Sequence, residues 1–220
     1  MISVIPAILE KDFPEIKNKI EKVKGLADWV QIDIADNTLV PNSTFLDPAP
    51  FAQFSHMNLE LHMMVKNPLG YSKGFIDAGF KRLIAHVEAD HIEEFITQCE
   101  EKDVEVGLAV DGPTPIEKIK KYIEDIDVAL IMAIDAGFSG RPFREDTVEK
   151  ITWLHTHFFD LPIEIDGAMD EINAKKVVEA GATRINSNSY IFNSKDVKMA
   201  IETLRTIENE ARSIKKDVLK

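Results

Sequence analysis

Trp29-Val30-Gln31-Ile32-Asp33-Ile34 is an apolar run interrupted by an acid near its end. Two more runs have the same shape: Leu59-Glu60-Leu61-His62 closes on a histidine, and Pro162-Ile163-Glu164-Ile165-Asp166 on a second aspartate. A buried strand keeps a charged side chain at its end where that end opens on a shared mouth, as the carboxyl ends of barrel strands do. Working outward, eight strand-like runs can be marked: Ile2–Ile5, Trp29–Ile34, Leu59–Val65, Arg82–Val87, Val104–Val110, Val128–Ile134, Ile163–Ile165 and Thr183–Asn186. Several are nearly continuous in Val, Ile, Leu and Ala, the pattern of strands covered on both faces.

Helix-like segments fall between them. Asp12–Val23 carries Phe13, Ile16, Ile20 and Val23 on one stripe, and His91–Glu101 carries Ile92, Phe95, Ile96 and Cys99. Thr114 or Pro115 opens Ile116–Ile123, Glu145–Phe158 follows, Glu171–Ala180 ends at Gly181, and Asp196–Ile214 is a charged closing helix. Residues 37–54 carry several prolines and give only a weak helical signal. Alternation of this kind through 220 residues predicts an α/β fold: a single-domain (β/α)8 TIM barrel, parallel and eight-stranded, spanning 1–220. An open doubly wound sheet is the competitor. It is disfavoured by the eight alternations and by the lack of a Gly-x-Gly-x-x-Gly turn after the first strand.

The net charge of −12, with no basic stretch, argues against a nucleic-acid partner and against anionic membrane surfaces. It leaves room for a small phosphorylated substrate, because backbone N–H groups bind phosphate whatever the global charge. Cys99 is the one cysteine, so no internal disulfide is expected and a reducing, cytoplasmic setting is. The start of the chain reads as a strand rather than a signal peptide. No run approaches the roughly 18 apolar residues that a membrane span needs.

Taken in order, the segments Pro6-Ala7-Ile8-Leu9, Gln31-Ile32-Asp33-Ile34-Ala35-Asp36 with Val40-Pro41-Asn42, Leu61-His62-Met63-Met64-Val65-Lys66-Asn67-Pro68, His86-Val87-Glu88-Ala89, Ile131 through Gly140, Ile165-Asp166-Gly167-Ala168 and Ser189-Tyr190-Ile191-Phe192 carry a family pattern. Over its whole length the chain resembles the ribulose-phosphate 3-epimerase family. That resemblance implies a (β/α)8 barrel with a divalent metal at its mouth, usually zinc or iron, held by two histidines and two aspartates, the aspartates doubling as the acid–base pair. Asp33, His62 and Asp166 match three of the four ligands. Gln31 stands where the second histidine belongs. The family serine and methionine are replaced by Ala7 and Ala35. Asp-Gly-Gly becomes Asp166-Gly167-Ala168, Gly-Ser becomes Asn188-Ser189, and Asn-Pro-Gly-Phe-Gly-Gly becomes Asp135-Ala136-Gly137-Phe138-Ser139-Gly140.

Epimerising a carbon beside a ketone removes its proton on one face and returns one on the other. Two carboxyls, one ionised and one protonated, suit that task, and a cation between them steadies the developing charge. Asp33 and Asp166 are therefore the expected catalytic pair, and the expected metal set is Asp33, His62, Asp166 and possibly Gln31. Zinc or iron is the expected ion, with manganese or cobalt as further possibilities. Gln31 precedes Asp33 by two and shares its strand face, but an amide oxygen is a poorer zinc donor than imidazole. Gly137, Ser139, Gly140, Gly167, Ala168, Asn188 and Ser189 are the expected phosphate and substrate contacts. Arg141 is a weaker candidate, and Met63, Met64 and Met132 are candidates for the mouth lining. His86 is read as structural, Asp36 as a turn former, and His91, His155 and His157 as helix-surface residues.

The expected activity is interconversion of D-ribulose 5-phosphate and D-xylulose 5-phosphate, or of a close analogue, in a homo-oligomer of the pentose phosphate pathway. The alternative is an altered or inactive relative that binds sugar phosphates or serves as a scaffold. A decarboxylase or aldolase barrel would call for a lysine at the mouth, and only Lys66, just past the third strand, comes near.

Overall fold

The computed structural model describes residues 2–218, with side chains described through Ile207. Eight parallel strands form a closed barrel in sequence order. They are β1 (Ser3–Ile8), β2 (Trp29–Ala35), β3 (Asn58–Met64), β4 (Arg82–His86), β5 (Glu105–Val110), β6 (Val128–Met132), β7 (Ile163–Asp166) and β8 (Arg184–Ser187). All eight expected strands form. β1 runs past Pro6, pairing Ser3 with Arg184 on one side and Ala7 with Gln31 on the other.

The surrounding helices are α1 (Phe13–Val23), α2 (Leu69–Asp77), α3 (Ile92–Glu100), α4 (Asp146–His157), α5 (Glu171–Ala180), α6 (Ser189–Phe192) and α7 (Val197–Val218). Local chemistry sets their ends. The Asp12 carboxylate accepts from the Glu15 N–H at the start of α1, and Asp170 does the same for Asn173 at the start of α5. Gly181 takes φ +123° as α5 ends.

Two elements differ from expectation. α2 gives little sequence signal because Gly70, Gly74 and the preceding Pro68 obscure its period. The glycine at 74 answers a close approach, since a Cβ there would lie 2.8 Å from Pro48 Cγ. Residues Ile116–Asp125 form a 3-10 helix instead of an α-helix. Their buried Ile116, Ile119 and Tyr122 recur every third residue, so a helix of three residues per turn keeps them in line on one face.

Strand alternation divides the side chains into two sets. Those pointing outward pack under the helices in one large apolar core. Those pointing inward fill the barrel. Its mouth is lined partly by Met64, Met132 and Ile134, with Ala35 and Ile84 in the same inner cluster. Its floor is ionic: Arg82, 1% exposed, donates to Glu60, lies 3.8 Å from Glu164, and binds Glu105 at 2.6–2.7 Å. Its guanidinium also lies 3.9 Å from the Trp29 ring centre. Arg184 approaches Glu164 at 3.7 Å from the other side. Burial and the neighbouring Glu164 push the Glu60 carboxyl above the ordinary range.

The long connection after β2 is held by aromatic packing. Phe51, on a short 3-10 turn (Ala49–Phe54), meets Phe13, Phe45, Phe75 and Phe80 at centroid distances of 5.3–6.3 Å. Its earlier part reaches over the barrel, where Asn42 donates to the Gly137 carbonyl at 2.6 Å.

Gly107 on β5 faces the filled interior, and a Cβ there would come within 2.7 Å of Ile84 and 2.8 Å of Val128. Gly107→Ala is expected to lower the unfolding free energy by about 1–3 kcal/mol, as overpacking does. Urea denaturation of the two proteins measures it.

Candidate active site

Register decides which side chains share the mouth. β2 pairs with β3 so that Asp33 lies beside His62, and β7 pairs with β8 so that Asp166 lies beside Asn186. One oxygen from each aspartate and a ring nitrogen of His62 all lie within 4.8 Å of one another. The three residues, distant in sequence, therefore form one cluster.

Hydrogen bonds define the cluster further. His62 Nδ1 stands 2.9 Å from Asp33 Oδ1 and 3.5 Å from Asp166 Oδ2. The Gln31 carboxamide donates from Nε2 to Asp33 Oδ1 at 2.8 Å and to Asp166 Oδ2 at 2.7 Å. Gln31 thus presents N–H to the two carboxylates, while its oxygen accepts from Asn186 Nδ2 at 2.5 Å.

His86, expected to be structural, belongs to this network. Its Nε2 is 2.8 Å from His62 Nε2, and the two rings stack with centroids 5.0 Å apart. Its Nδ1 is 3.2 Å from Glu88 Oε2. The spacing His86-Val87-Glu88 is the available signal, because residues two apart on a strand point the same way. Asn186 is a second member that the sequence does not single out. It lies one strand away from Asp166, and nothing in its own segment marks it.

The protonation states fit together. Burial opposes charge on His62, but hydrogen bonds and attraction from Asp166 and Asp33 outweigh it and raise the imidazole to about 10. Burial raises Asp33 to about 6, against the pull of His62 and with the push of Asp166. Burial, and then the charge on His62, lower His86. A doubly protonated His62 donates from Nδ1 to Asp33 and from Nε2 to a neutral His86, whose Nδ1–H donates to Glu88. Every nitrogen then has a matching partner.

The remaining expected residues line the same open cavity. Gly137, Ser139 and Gly140 come from the loop after β6, Gly167 and Ala168 from the loop after β7, and Asn188 and Ser189 from the turn into α6. Two backbone conformations here are specialised. Gly167 has φ +107°, and a Cβ on it would lie 2.5 Å from Ile134. Ala168 has φ +53°, a left-handed conformation uncommon for a side-chain-bearing residue. Met64, Met132 and Met169 line the wall, whereas Met63 points into the outer core. Arg141 is exposed, with its guanidinium 5.1 Å from the Phe138 ring centre. Asp36 accepts from the Thr38 N–H and the Tyr71 hydroxyl, each at 3.0 Å, as a turn former does. Among the described residues, no lysine lines the cavity, and neither do His91, His155 and His157.

A carboxylate, an imidazole nitrogen and a second carboxylate converging from three strands form a donor set for a divalent cation. Gln31 fits that role less well in this arrangement, since its N–H bonds face the other donors.

A parallel eight-stranded barrel with two aspartates, a histidine and a glycine-rich rim at its carboxyl mouth defines the class, a (β/α)8 barrel enzyme. The ribulose-phosphate 3 epimerase family model matches residues 3–192. A ribulose-phosphate 3-epimerase of Bacillus subtilis is 33% identical over 214 residues, covering 93% of this chain and 99% of that one. Another, from Rhodobacter capsulatus, is 33% identical over 197 residues, covering 87% and 86%. The chain belongs to the ribulose-phosphate 3-epimerase family and is an isomerase. Among solved structures, a 3-keto-L-gulonate-6-phosphate decarboxylase from Vibrio cholerae matches with a TM-score of 0.73 at 13% identity, over 95% of this chain and 97% of that one. That likeness concerns the fold. No helix among the described residues is long and apolar enough to cross a membrane.

Glu88 yields a stability prediction. Burial opposes its ionisation, yet hydrogen bonds from His86, Thr114 and the Asp111 N–H lower its carboxyl to about 2. A carboxyl depressed in the folded state adds stability above its unfolded value near 4.5, and that stability is lost as pH falls toward 2. The contribution is about 3 kcal/mol at neutral pH. Urea melts of the metal-free protein between pH 6 and pH 3 are expected to show a shallower loss of stability in Glu88→Gln than in the parent.

Proposed function

We propose that this isomerase epimerises a ketose phosphate at the carbon beside its carbonyl, D-ribulose 5-phosphate to D-xylulose 5-phosphate or a close analogue, by proton transfer between two aspartates. The observation that carries the reading is the convergence of Asp33, Asp166 and His62 within 4.8 Å at the barrel mouth. The relatives named above support the substrate class.

In this reading the substrate lies across the mouth with its C3 between the two carboxyls. The ionised one removes the C3 proton, leaving an enediolate. The protonated one delivers a proton to the opposite face. The reverse reaction exchanges their roles, as microscopic reversibility requires. With no ion bound, His62 as an imidazolium holds the carboxyls in place and offsets their charge; to ligate an ion it must first give up its Nδ1 proton. The phosphate is held by backbone N–H groups of Gly137, Ser139, Gly140, Gly167, Ala168, Asn188 and Ser189, at the rim where barrels commonly bind phosphate. Asp33, His62 and Asp166 would hold a divalent ion, zinc or iron first and manganese or cobalt next. When bound, it supplies positive charge against the oxygen that becomes negative in the enediolate. A cavity wall without lysine counts against a lysine-dependent decarboxylase or aldolase.

Asp166→Asn, close in shape, is expected to cut solvent-deuterium incorporation at C3 of ribulose 5-phosphate by about 10²–10⁴-fold. Thermal melting should stay near that of the parent. Retained exchange would remove Asp166 from the mechanism. Chelation of divalent ions is expected to abolish exchange, and adding back zinc, iron, manganese and cobalt one at a time identifies the working ion. Exchange that persists after complete chelation would exclude the ion.

A further inference from the structure

Beneath the two aspartates runs a line of side chains that the proton transfer itself does not use. Asn186 Nδ2 donates upward to Gln31 Oε1 at 2.5 Å and sideways to Glu164 Oε1 at 2.7 Å. Gln31 Nε2 then donates to Asp33 and Asp166. Gln31 and Asn186 are each fully buried. Arg82 and Arg184 lie below Glu164 at ion-pair distances of 3.8 and 3.7 Å, without a hydrogen bond to its Oε2.

The direction of this line is forced from both ends. Turning the Gln31 carboxamide over would press its oxygen against two carboxylates. Turning Asn186 over would face its oxygen to the Gln31 oxygen and the Glu164 oxygen, three acceptors with no hydrogen among them. The chain leaves the buried Asn186 Oδ1 without a partner. That is the smaller loss, because one idle acceptor costs less than two opposed ones.

We infer that Asn186 is a positioning residue: it fixes the Gln31 carboxamide with both N–H bonds toward Asp33 and Asp166, so that Gln31 bridges the two catalytic carboxylates as a donor and is not a ligand to an ion. The inference deepens the epimerase reading and rests on it for the roles of the two aspartates. It has a structural consequence. A cation at this mouth is held by three protein donors, and the corner nearest β2 carries N–H hydrogens. The geometry of the acid–base pair is thereby set partly by neutral hydrogen bonds, which persist when the cation leaves.

The test exchanges the donor at 186 for an acceptor. Asn186→Asp offers Gln31 an oxygen, so the amide turns, gives its N–H bonds to position 186, and presents Oε1 to the mouth. Cobalt(II), titrated against a competing chelator, is expected to bind Asn186→Asp about tenfold or more tightly than the parent, the scale on which outer partners tune metal sites. Unchanged or weaker binding in a folded Asn186→Asp protein, checked by circular dichroism, overturns the inference, and so does a gain that persists in full in Gln31→Met/Asn186→Asp, since the added charge alone would give it.

A second measurement covers a variant that does not fold, since the new carboxyl would neighbour Glu164. In metal-free parent protein with 15N-labelled glutamine side chains, the Gln31 amide is assigned by its loss in Gln31→Glu. Its N–H hydrogens are expected to show nuclear Overhauser effects to the β-hydrogens of Asp33 and Asp166. Effects to the Asn186 side-chain amide hydrogens in their place overturn the inference. Failure of the parent to bind cobalt at all would count against the ion in the epimerase reading, and the amide measurement would still decide the orientation.

Discussion

Two carboxyl groups occupy one buried space at the mouth of this barrel, and like charges so placed repel. His62 offsets part of that cost, beside the Gln31 amide. Its imidazole sits 2.9 Å from Asp33 and 3.5 Å from Asp166, and in the metal-free site the two acids raise it to about 10. Asp33, lifted to about 6 by burial, shows how near the balance lies to neutrality. Without a positive partner the two acids could not be kept this close in a low-dielectric setting. The rest of the site is arranged around this triangle.

Support for His62 comes from behind. His86 stacks on it and receives its second N–H, and Glu88 fixes the far side of His86. Support for the aspartates comes from below, through Gln31 and Asn186 to the ionic floor of Arg82, Arg184, Glu60 and Glu164. A barrel interior this polar is tolerable because most of its groups have partners. Among the described residues, the four buried side-chain atoms without a hydrogen-bond partner (one each on Glu60, Glu164, Arg184 and Asn186) all lie in this interior, where ion pairing stands in for hydrogen bonds at Glu164 and Arg184. Outside the strands, the aromatic cluster around Phe51 ties down the long β2–β3 connection. That connection in turn steadies the loop carrying Gly137.

Much of this is legible along the chain. Eight apolar runs become eight strands, because strands covered on both faces must be apolar almost throughout. Asp33, His62 and Asp166 stand out because burying a charge at the end of such a run is costly unless other polar groups meet it there. α2 is hidden, since Gly70, Gly74 and Pro68 weaken its helical signal, and Gly74 answers the close approach of Pro48 and not helix propensity. Ile116–Asp125 reads as an α-helix because a short apolar stripe fits both 3.0 and 3.6 residues per turn.

Local sequence determined the eight strands, the two acids, the histidine and the glycine-rich rim, since each depends on patterns a few residues long. Tertiary structure decided the partnerships. That Gln31 turns its N–H bonds to the aspartates, that His86 serves His62 and that Asn186 holds Gln31 all follow from the register between strands remote in sequence. A side chain's hydrogen-bonding role is set by what faces it across the barrel. Closure of the sheet alone brings those groups face to face.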